Sequence, residues 1–251
     1  MKVRFKMAIA AAAAFGLALT ACGTEESTPA GESSAAEGTT SGADASELVS
    51  QSAAAMKDLT GAHITMNVEG KVPNLKVTTL EADVTNTPAV AATGEATIQM
   101  GGDKTQTTKL VYVDGHLYSD VAEPGNFFDY GDGNSIYNLS VILDPSNGLA
   151  NALSKLKDPK EAGSETIDGT ATTKIEATAS TDDVAVLAGA RKAPENSQEW
   201  PVTVWIADDA PHYLVQAQIT VGNADDATVT MTLSDFGKEV TVEKPEITPP
   251  A

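Results

Sequence analysis

Apolar and polar residues alternate with period two along much of this chain, and a strict period of two fits only strands that bury one face. Ile64, Met66 and Val68 alternate with Thr65 and Asn67; Ala96, Ile98 and Met100 alternate with Thr97 and Gln99; Val229, Met231 and Leu233 alternate with Thr228, Thr230 and Thr232. Each run reads as a half-buried antiparallel strand. Asp114-Gly115 lies between Leu110-Val111-Tyr112-Val113 and His116-Leu117-Tyr118, and Asp168-Gly169 lies between Glu165-Thr166-Ile167 and Thr172-Thr173-Lys174-Ile175. Asp-Gly supplies the two positive φ angles of a type I′ turn, so both are expected to be hairpins. Gly101-Gly102 and Asn223-Ala224-Asp225 are weaker turn signals. Further strands are expected at 202–207, 213–221 and 227–236, with a last one near 239–242.

Helical spacing interrupts this pattern in four places. Over 45–59, Leu48, Ala55 and Leu59 share a face, and Gly61 ends the helix. The segment 136–143, closed by Asp144-Pro145, places Ile136, Leu139 and Leu143 on one stripe; 149–156, closed by Asp158-Pro159, does the same with Leu149, Leu153 and Leu156. A short helix over 182–189 sets Val184 and Leu187 on one side behind acidic first-turn residues. The sum is an α+β domain in which a single curved antiparallel sheet carries helices on its concave face. Aromatic residues are only 5% of the chain. Small and flexible side chains on a concave face leave room for an apolar cavity.

The start of the chain has a different character. Lys2, Arg4 and Lys6 precede an apolar run over 7–21 that is too short for a permanent span and ends in Leu19-Thr20-Ala21-Cys22. This is the pattern of a bacterial lipoprotein signal: 1–21 would be removed and Cys22 acylated, a diacylglycerol and palmitate-type anchor to the cell membrane with the protein on the extracytoplasmic face. Two or more acyl chains anchor stably where one does not. Residues 23–44 contain Gly, Ser, Thr, Ala and Glu but no large apolar side chain, so 22–44 reads as the lipidated cysteine and a disordered tether, with the folded domain at 45–251. A coil of this length reaches roughly 25 Å. Cys22 is the only cysteine, so the domain has no disulfide and no thiol chemistry of its own.

Charge and motif content narrow the function. The chain has 35 Asp and Glu against 16 Lys and Arg, a net charge of −19, and loses three cations with the leader. Such a surface repels phosphate backbones, which excludes nucleic acid as a partner. His63, His116 and His212 are scattered and form no ligand spacing. Asp129, Asp132 and Asn134 with Gly131 and Gly133 miss the calcium-loop spacing. The Gly31-Glu32-Ser33-Ser34-Ala35 phrase lies in the tether, where no strand and helix can present a nucleophile. No catalytic, metal or cofactor constellation emerges, and the chain is expected not to be an enzyme.

Several longer phrases carry a resemblance: 48–70, Ala91-Ala92-Thr93-Gly94, Val113-Asp114-Gly115-His116-Leu117-Tyr118, 143–151, 201–206 and 231–237. In order and spacing they are similar to the LprG/LppX/LprA/LprF family of actinobacterial lipoproteins, with the LprG branch the nearest in appearance, over nearly the whole chain after Cys22. That resemblance implies a LolA/LolB-like half-barrel whose mouth is plugged by helices. It implies a carrier that binds multi-acylated lipids or glycolipids of phosphatidylinositol mannoside, lipoglycan or triacylglycerol type. It further implies transfer across the envelope, with some of the protein reaching the outer envelope, and a major-facilitator exporter as partner. The cavity lining expected on that basis is Ile64, Met66 and Val68, Ala96, Ile98 and Met100, and Val229, Met231 and Leu233, with Ile136, Leu139, Leu149 and Leu153 on the plugging side. The alternative is a non-catalytic envelope scaffold or adhesin with a filled core.

Overall fold

The computed structural model describes residues 42–73, 75–102, 104–190, 195–222 and 227–247. The chain divides into two units at Gly38 and Thr39. The leader, Cys22, most of the tether and the Asn223-Ala224-Asp225 turn lie outside the described residues.

The second unit is built on one open, curled antiparallel sheet of 11 strands. Six strands form a first meander: β1 (Gly61–Gly70), β2 (Val77–Thr85), β3 (Ala91–Gly101), β4 (Lys104–Val113), β5 (His116–Glu123) and β6 (Asn126–Asp129). Five form a second: β7 (Lys157–Ile167), β8 (Thr170–Ser180), β9 (Glu199–Ala207), β10 (Leu214–Thr220) and β11 (Ala227–Ser234). The two meet where β1 pairs with β11, with Ile64 opposite Leu233 and Met66 opposite Met231, so β6 and β7 are the edges. The hairpin expectation holds at both Asp-Gly turns: φ is 56° and 80° at Asp114 and Gly115, and 47° and 86° at Asp168 and Gly169.

Along the inner face, register places Ser119, Leu110, Gly94, Ala82, Ile64 and Leu233 in one continuous row. Gly94 is required there because a Cβ would come within 2.1 Å of the Glu81 carbonyl oxygen. The outer face is polar. Thr232 Oγ1 donates to Gln216 Oε1 at 3.0 Å, and Gln218 Nε2 donates to Thr230 Oγ1 at 3.2 Å. His63 Nδ1 and Lys238 Nζ meet Asp83 Oδ1 at 2.8 and 2.7 Å. After β11 the chain crosses this outer surface: Gly237 N–H bonds the Gly61 carbonyl, Lys244 lies 5.2 Å from the Tyr118 ring centre, and Ile247 bridges Phe127 on β6.

Helices cover the inner face of the second meander. α1 (Gly42–Lys57) buries Ala45, Val49, Ser52 and Met56 against α2 (Leu149–Ser154) and strands β7, β9 and β10. α3 (Thr181–Val184) is capped by the Ser180 hydroxyl, which accepts from Asp182 N–H at 3.3 Å.

Four expectations are corrected. The 136–143 helix is only a 3-10 turn, Leu139–Val141. Short-range side-chain bonds compete with helix here: Asn138 Oδ1 accepts from Ser140 N–H and Asp144 Oδ1 accepts from the Ser146 and Asn147 N–H groups. The 182–189 helix shrinks to α3. The 239–242 strand is irregular chain, because the segment crosses the outer face instead of joining an edge. The 149–156 helix stops at Ser154, and Asp158-Pro159 lies inside β7. β2, β6 and most of β7 fall where no strand is expected. β7 is polar and largely exposed, with Pro159, positive φ at Asp158 and Gly163 and two register shifts, the protections an open edge needs.

Asp120 ties β4, β5 and the β5–β6 turn together. Its carboxylate accepts from Thr108 Oγ1 at 2.7 Å, Lys109 N–H at 2.8 Å and Gly125 N–H at 3.0 Å. Asp120→Ala removes the acceptor of the Lys109 and Gly125 N–H groups and one partner of the Thr108 hydroxyl, and a loss of about 2–3 kcal/mol is expected in chemical denaturation.

Acid is expected to act through the same kind of group. Burial raises the Asp120 and Asp83 carboxyls, but the Gly125, Thr108 and Lys109 bonds on the first, and Lys238 and His63 on the second, outweigh it and hold both below the usual carboxylate range. His116 and Gly131 N–H hold Asp129 down as well. A group whose folded-state value is depressed stabilises fully above its unfolded value, and that contribution is lost as pH falls. Unfolding free energy against pH should therefore drop below about pH 4, with a smaller drop in Asp83→Asn.

Candidate functional site

The inner face of the second meander holds an apolar cavity of about 20 Å³. Its sheet side is Val202 and Val204 from β9 and Leu214, Ala217 and Ile219 from β10; its cover is Leu149, Ala152, Leu153 and Leu156 at α2, with Val184 and Leu187 at α3. Alternation explains the sheet side. Val202 opposes Ile219 and Val204 opposes Ala217, so the four share one face. Ala217 is the small residue in the middle of that face, and its neighbour across the next ladder is Met231. Every lining residue is aliphatic, so nothing there recognises a charge or holds a metal. A volume of this size admits about one water and no alkyl chain.

Contacts from three loops tie the cover to the rest of the domain. Tyr137 Oη donates to the Leu187 carbonyl at 2.9 Å, and the Tyr137 ring is buried. Burial pushes its phenol well above the ordinary value, so it remains a donor across the physiological range. Leu75, from the β1–β2 loop, packs so closely that its side chain comes within 2.5 Å of where a Cβ on Gly189 would stand; Gly189 has φ of 86°. Asn86 Nδ2 bonds the Leu59 and Leu143 carbonyls, fixing the end of the α1 segment to the loop before α2.

Of the residues expected from sequence to line a cavity, Leu149 and Leu153 do so. Ile64, Met66, Ala96, Ile98, Leu139, Val229, Met231 and Leu233 are buried in the same continuous core, with Val68 and Ile136 partly buried against it. Met100 is a correction: it is 53% exposed. β3 breaks register between Gln99 and Gly101 at its far end, and Met100 stands out in solvent beside the Gly101-Gly102 turn. The lining on β9 and β10 was not expected. Val184, Leu187 and Leu156 already showed as helical stripes, and the alternation at 202–204 and 217–219 is the signal that identifies the rest.

Two buried donors have no partner among the described residues, the hydroxyl of Ser52 and the indole N–H of Trp200. Ser52 sits mid-stripe on α1, fully buried. Trp200 precedes Val202 by two positions on β9 and shares its face. Leaving such a donor unsatisfied costs about 1–3 kcal/mol. Elsewhere the polar groups are paired: His116 Nδ1 contacts Asp129 at 2.9 Å, His212 Nδ1 contacts the Ala207 carbonyl at 3.0 Å, and Asp132 closes a turn on Asn134 N–H. Among the described residues no three His, Cys, Asp or Glu side chains gather as metal ligands, and no helix is long and apolar enough to cross a membrane.

Comparison with known proteins follows the same lines. The model of the LppX_LprAFG lipoprotein family matches residues 44–242. Lipoprotein LprA of Mycobacterium tuberculosis is 51% identical over 229 residues, covering 91% of this chain and 92% of LprA. The lipoarabinomannan carrier protein LprG of Mycolicibacterium smegmatis is 41% identical over 204 residues, covering 80% of this chain and 83% of LprG. Identity to this LprA thus exceeds identity to this LprG. The crystal structure of LprF from Mycobacterium bovis superposes with a TM-score of 0.70 at 27% identity, covering 83% of this chain and 99% of that one. For LppX of Mycobacterium tuberculosis the TM-score is 0.61 at 27% identity, with 81% and 100% covered.

Proposed function

The chain belongs to the LppX_LprAFG lipoprotein family, and from that premise we propose that it is a non-catalytic carrier of multi-acylated lipids or glycolipids. The observation that carries this reading is the wholly aliphatic cavity between β9–β10 and a cover of two short helices. An LprG relative named as a lipoarabinomannan carrier supports the cargo class.

The mechanism needs no bond-making step. Exposing an alkyl chain to water costs about 0.8 kcal/mol per CH2, so a carrier must exchange membrane for protein interior without an aqueous interval. In the closed form α2 and α3 fill the space, and the sheet behind them is a continuous apolar floor from Ile175 on β8 across Val204 and Ala217 to Met231 on β11. Displacing α2 and the 181–190 segment uncovers that floor, and acyl chains take their place. Cargo then acts as a ligand with affinity for the open form alone and shifts the population toward it. The polar headgroup stays at the rim.

On this reading Cys22 is the lipid anchor and 22–44 the tether that lets the domain meet the membrane surface, on the extracytoplasmic face. Loading there and release further out in the envelope, with a major-facilitator exporter supplying cargo, completes the proposal. Mass spectrometry of organic extracts from the full chain, produced in an actinobacterial host, tests it. Stoichiometric multi-acylated lipid is expected. A folded, lipid-free protein would favour an envelope scaffold or adhesin, a reading to which the filled core of the closed form lends some support.

A further inference from the structure

We propose that the indole N–H of Trp200 is the hydrogen-bond donor that receives the ester carbonyl of an acylated ligand, an inference that rests on the carrier reading above. Trp200 is 7% exposed, its Nε1 has no partner among the described residues, and it lies on the face of β9 that supplies Val202 and Val204 to the cavity. Two residues along a strand is roughly 6.6 Å, so the indole stands one position along the same inner face from Val202, beside the cavity lining. The other tryptophan shows what this chain does with an indole that has no ligand to meet. Trp205, on the opposite face, donates to Glu165 Oε2 at 3.0 Å, with Lys174 5.3 Å from its ring centre.

The chemistry of the occupant follows from the lining. Aliphatic walls call for alkyl chains, and a lone N–H on the face beside them calls for an acceptor without charge, since no cation lines the cavity to pair with a phosphate or carboxylate. An acyl ester supplies both in one group. Ser52 is a second orphan donor on the buried face of α1, the helix that packs on α2, β9 and β10, and it suits a second acyl ester in the same cargo. Buried donors without partners are rare in folded chains, and two of them, one on the β9 face that lines the cavity and one on the helix packed against α2, fit a site completed by its ligand.

The test uses the full chain labelled with 15N-tryptophan, stripped of lipid in detergent, and two probes: a dimyristoyl glycerol ester and its ether-linked dialkyl counterpart. The chain has two tryptophans, so two indole signals appear and Trp205 is the internal reference. The ester is expected to bind about tenfold more tightly than the ether and to shift the Trp200 indole signal while leaving that of Trp205 in place. Trp200→Phe, which keeps a ring on the floor, is expected to bring the two affinities together. Equal binding of ester and ether by the unaltered chain overturns the inference. So does a stationary Trp200 signal under saturating ester, the mark of a donor held by a resident water. Both of those leave the carrier reading standing, whereas failure of both probes to bind at all overturns the carrier reading together with this one.

Discussion

Ala217→Trp is expected to yield a folded protein that leaves its host without acyl lipid. Ala217 is the small residue at the centre of the cavity floor, flanked by Val204 and Met231 in the neighbouring strands, and it faces the α2 leucines. An indole there occupies the space that opening would release to an alkyl chain. Overpacking of this kind costs typically 1–3 kcal/mol, within what a domain of this size can absorb, so a melting curve should show a shifted but cooperative transition. Mass spectrometry of extracts should show lipid reduced at least tenfold relative to the unaltered chain. Ala96→Trp is the informative contrast. Ala96 is buried on β3, paired with Leu80 and Thr108 in the first meander, away from the cavity lining. If cargo occupies only the second meander, Ala96→Trp loses stability and keeps its lipid. If cargo extends across the β1–β11 seam, it loses lipid as well.

Tyr137→Phe should have the opposite sign in its effect on exchange. Its hydroxyl is the hydrogen bond from the 130–138 loop to the Leu187 carbonyl, and Leu187 lines the cavity. Removing the donor leaves a buried carbonyl unpaired in the closed form, at a cost of about 1–2 kcal/mol, while the open form, where water reaches that carbonyl, loses little. The open population rises accordingly, by roughly a factor of ten for each 1.4 kcal/mol. Transfer of a fluorescent diacyl lipid between this variant and vesicles should be several-fold to tenfold faster, with thermal stability somewhat reduced. An unchanged rate would mean that the 181–190 segment does not move during loading.

Much of the fold is legible in the sequence because its dominant signal is local. Alternation at 64–68, 96–98 and 229–233 identifies strands that bury one face, and Asp-Gly identifies two hairpins, since a type I′ turn has few other solutions. The failures have physical causes as specific as the successes. β7 carries no apolar alternation because an edge strand with polar surroundings has nothing to bury. β2 hides because its alternation slips at Val77 and Thr79, where the ladder is irregular. The stripe at Ile136, Leu139 and Leu143 is real, and these residues do pack inward, but Asn138 and Asp144 bond the local backbone and forestall the helix. The site was less legible than the fold. Period two says that a side chain is on the inner face and nothing about which part of an 11-stranded floor is covered by helices. That depends on pairing between strands far apart in sequence, and Met100 shows the cost of extending a pattern to the end of a strand, where cover runs out.

The seam between β1 and β11 joins the first strand of the sheet to the last. Each meander can assemble from neighbouring hairpins, but neither can pair its inner strand across the seam until Ala227–Ser234 is available. A chain delivered from its amino end, whether by a ribosome or through a membrane channel, would hold β1 half-paired until β11 arrives. The seam is thus a checkpoint for completeness: a chain truncated before Ala227 keeps every hairpin of the first meander and loses the partner that makes the two halves one sheet.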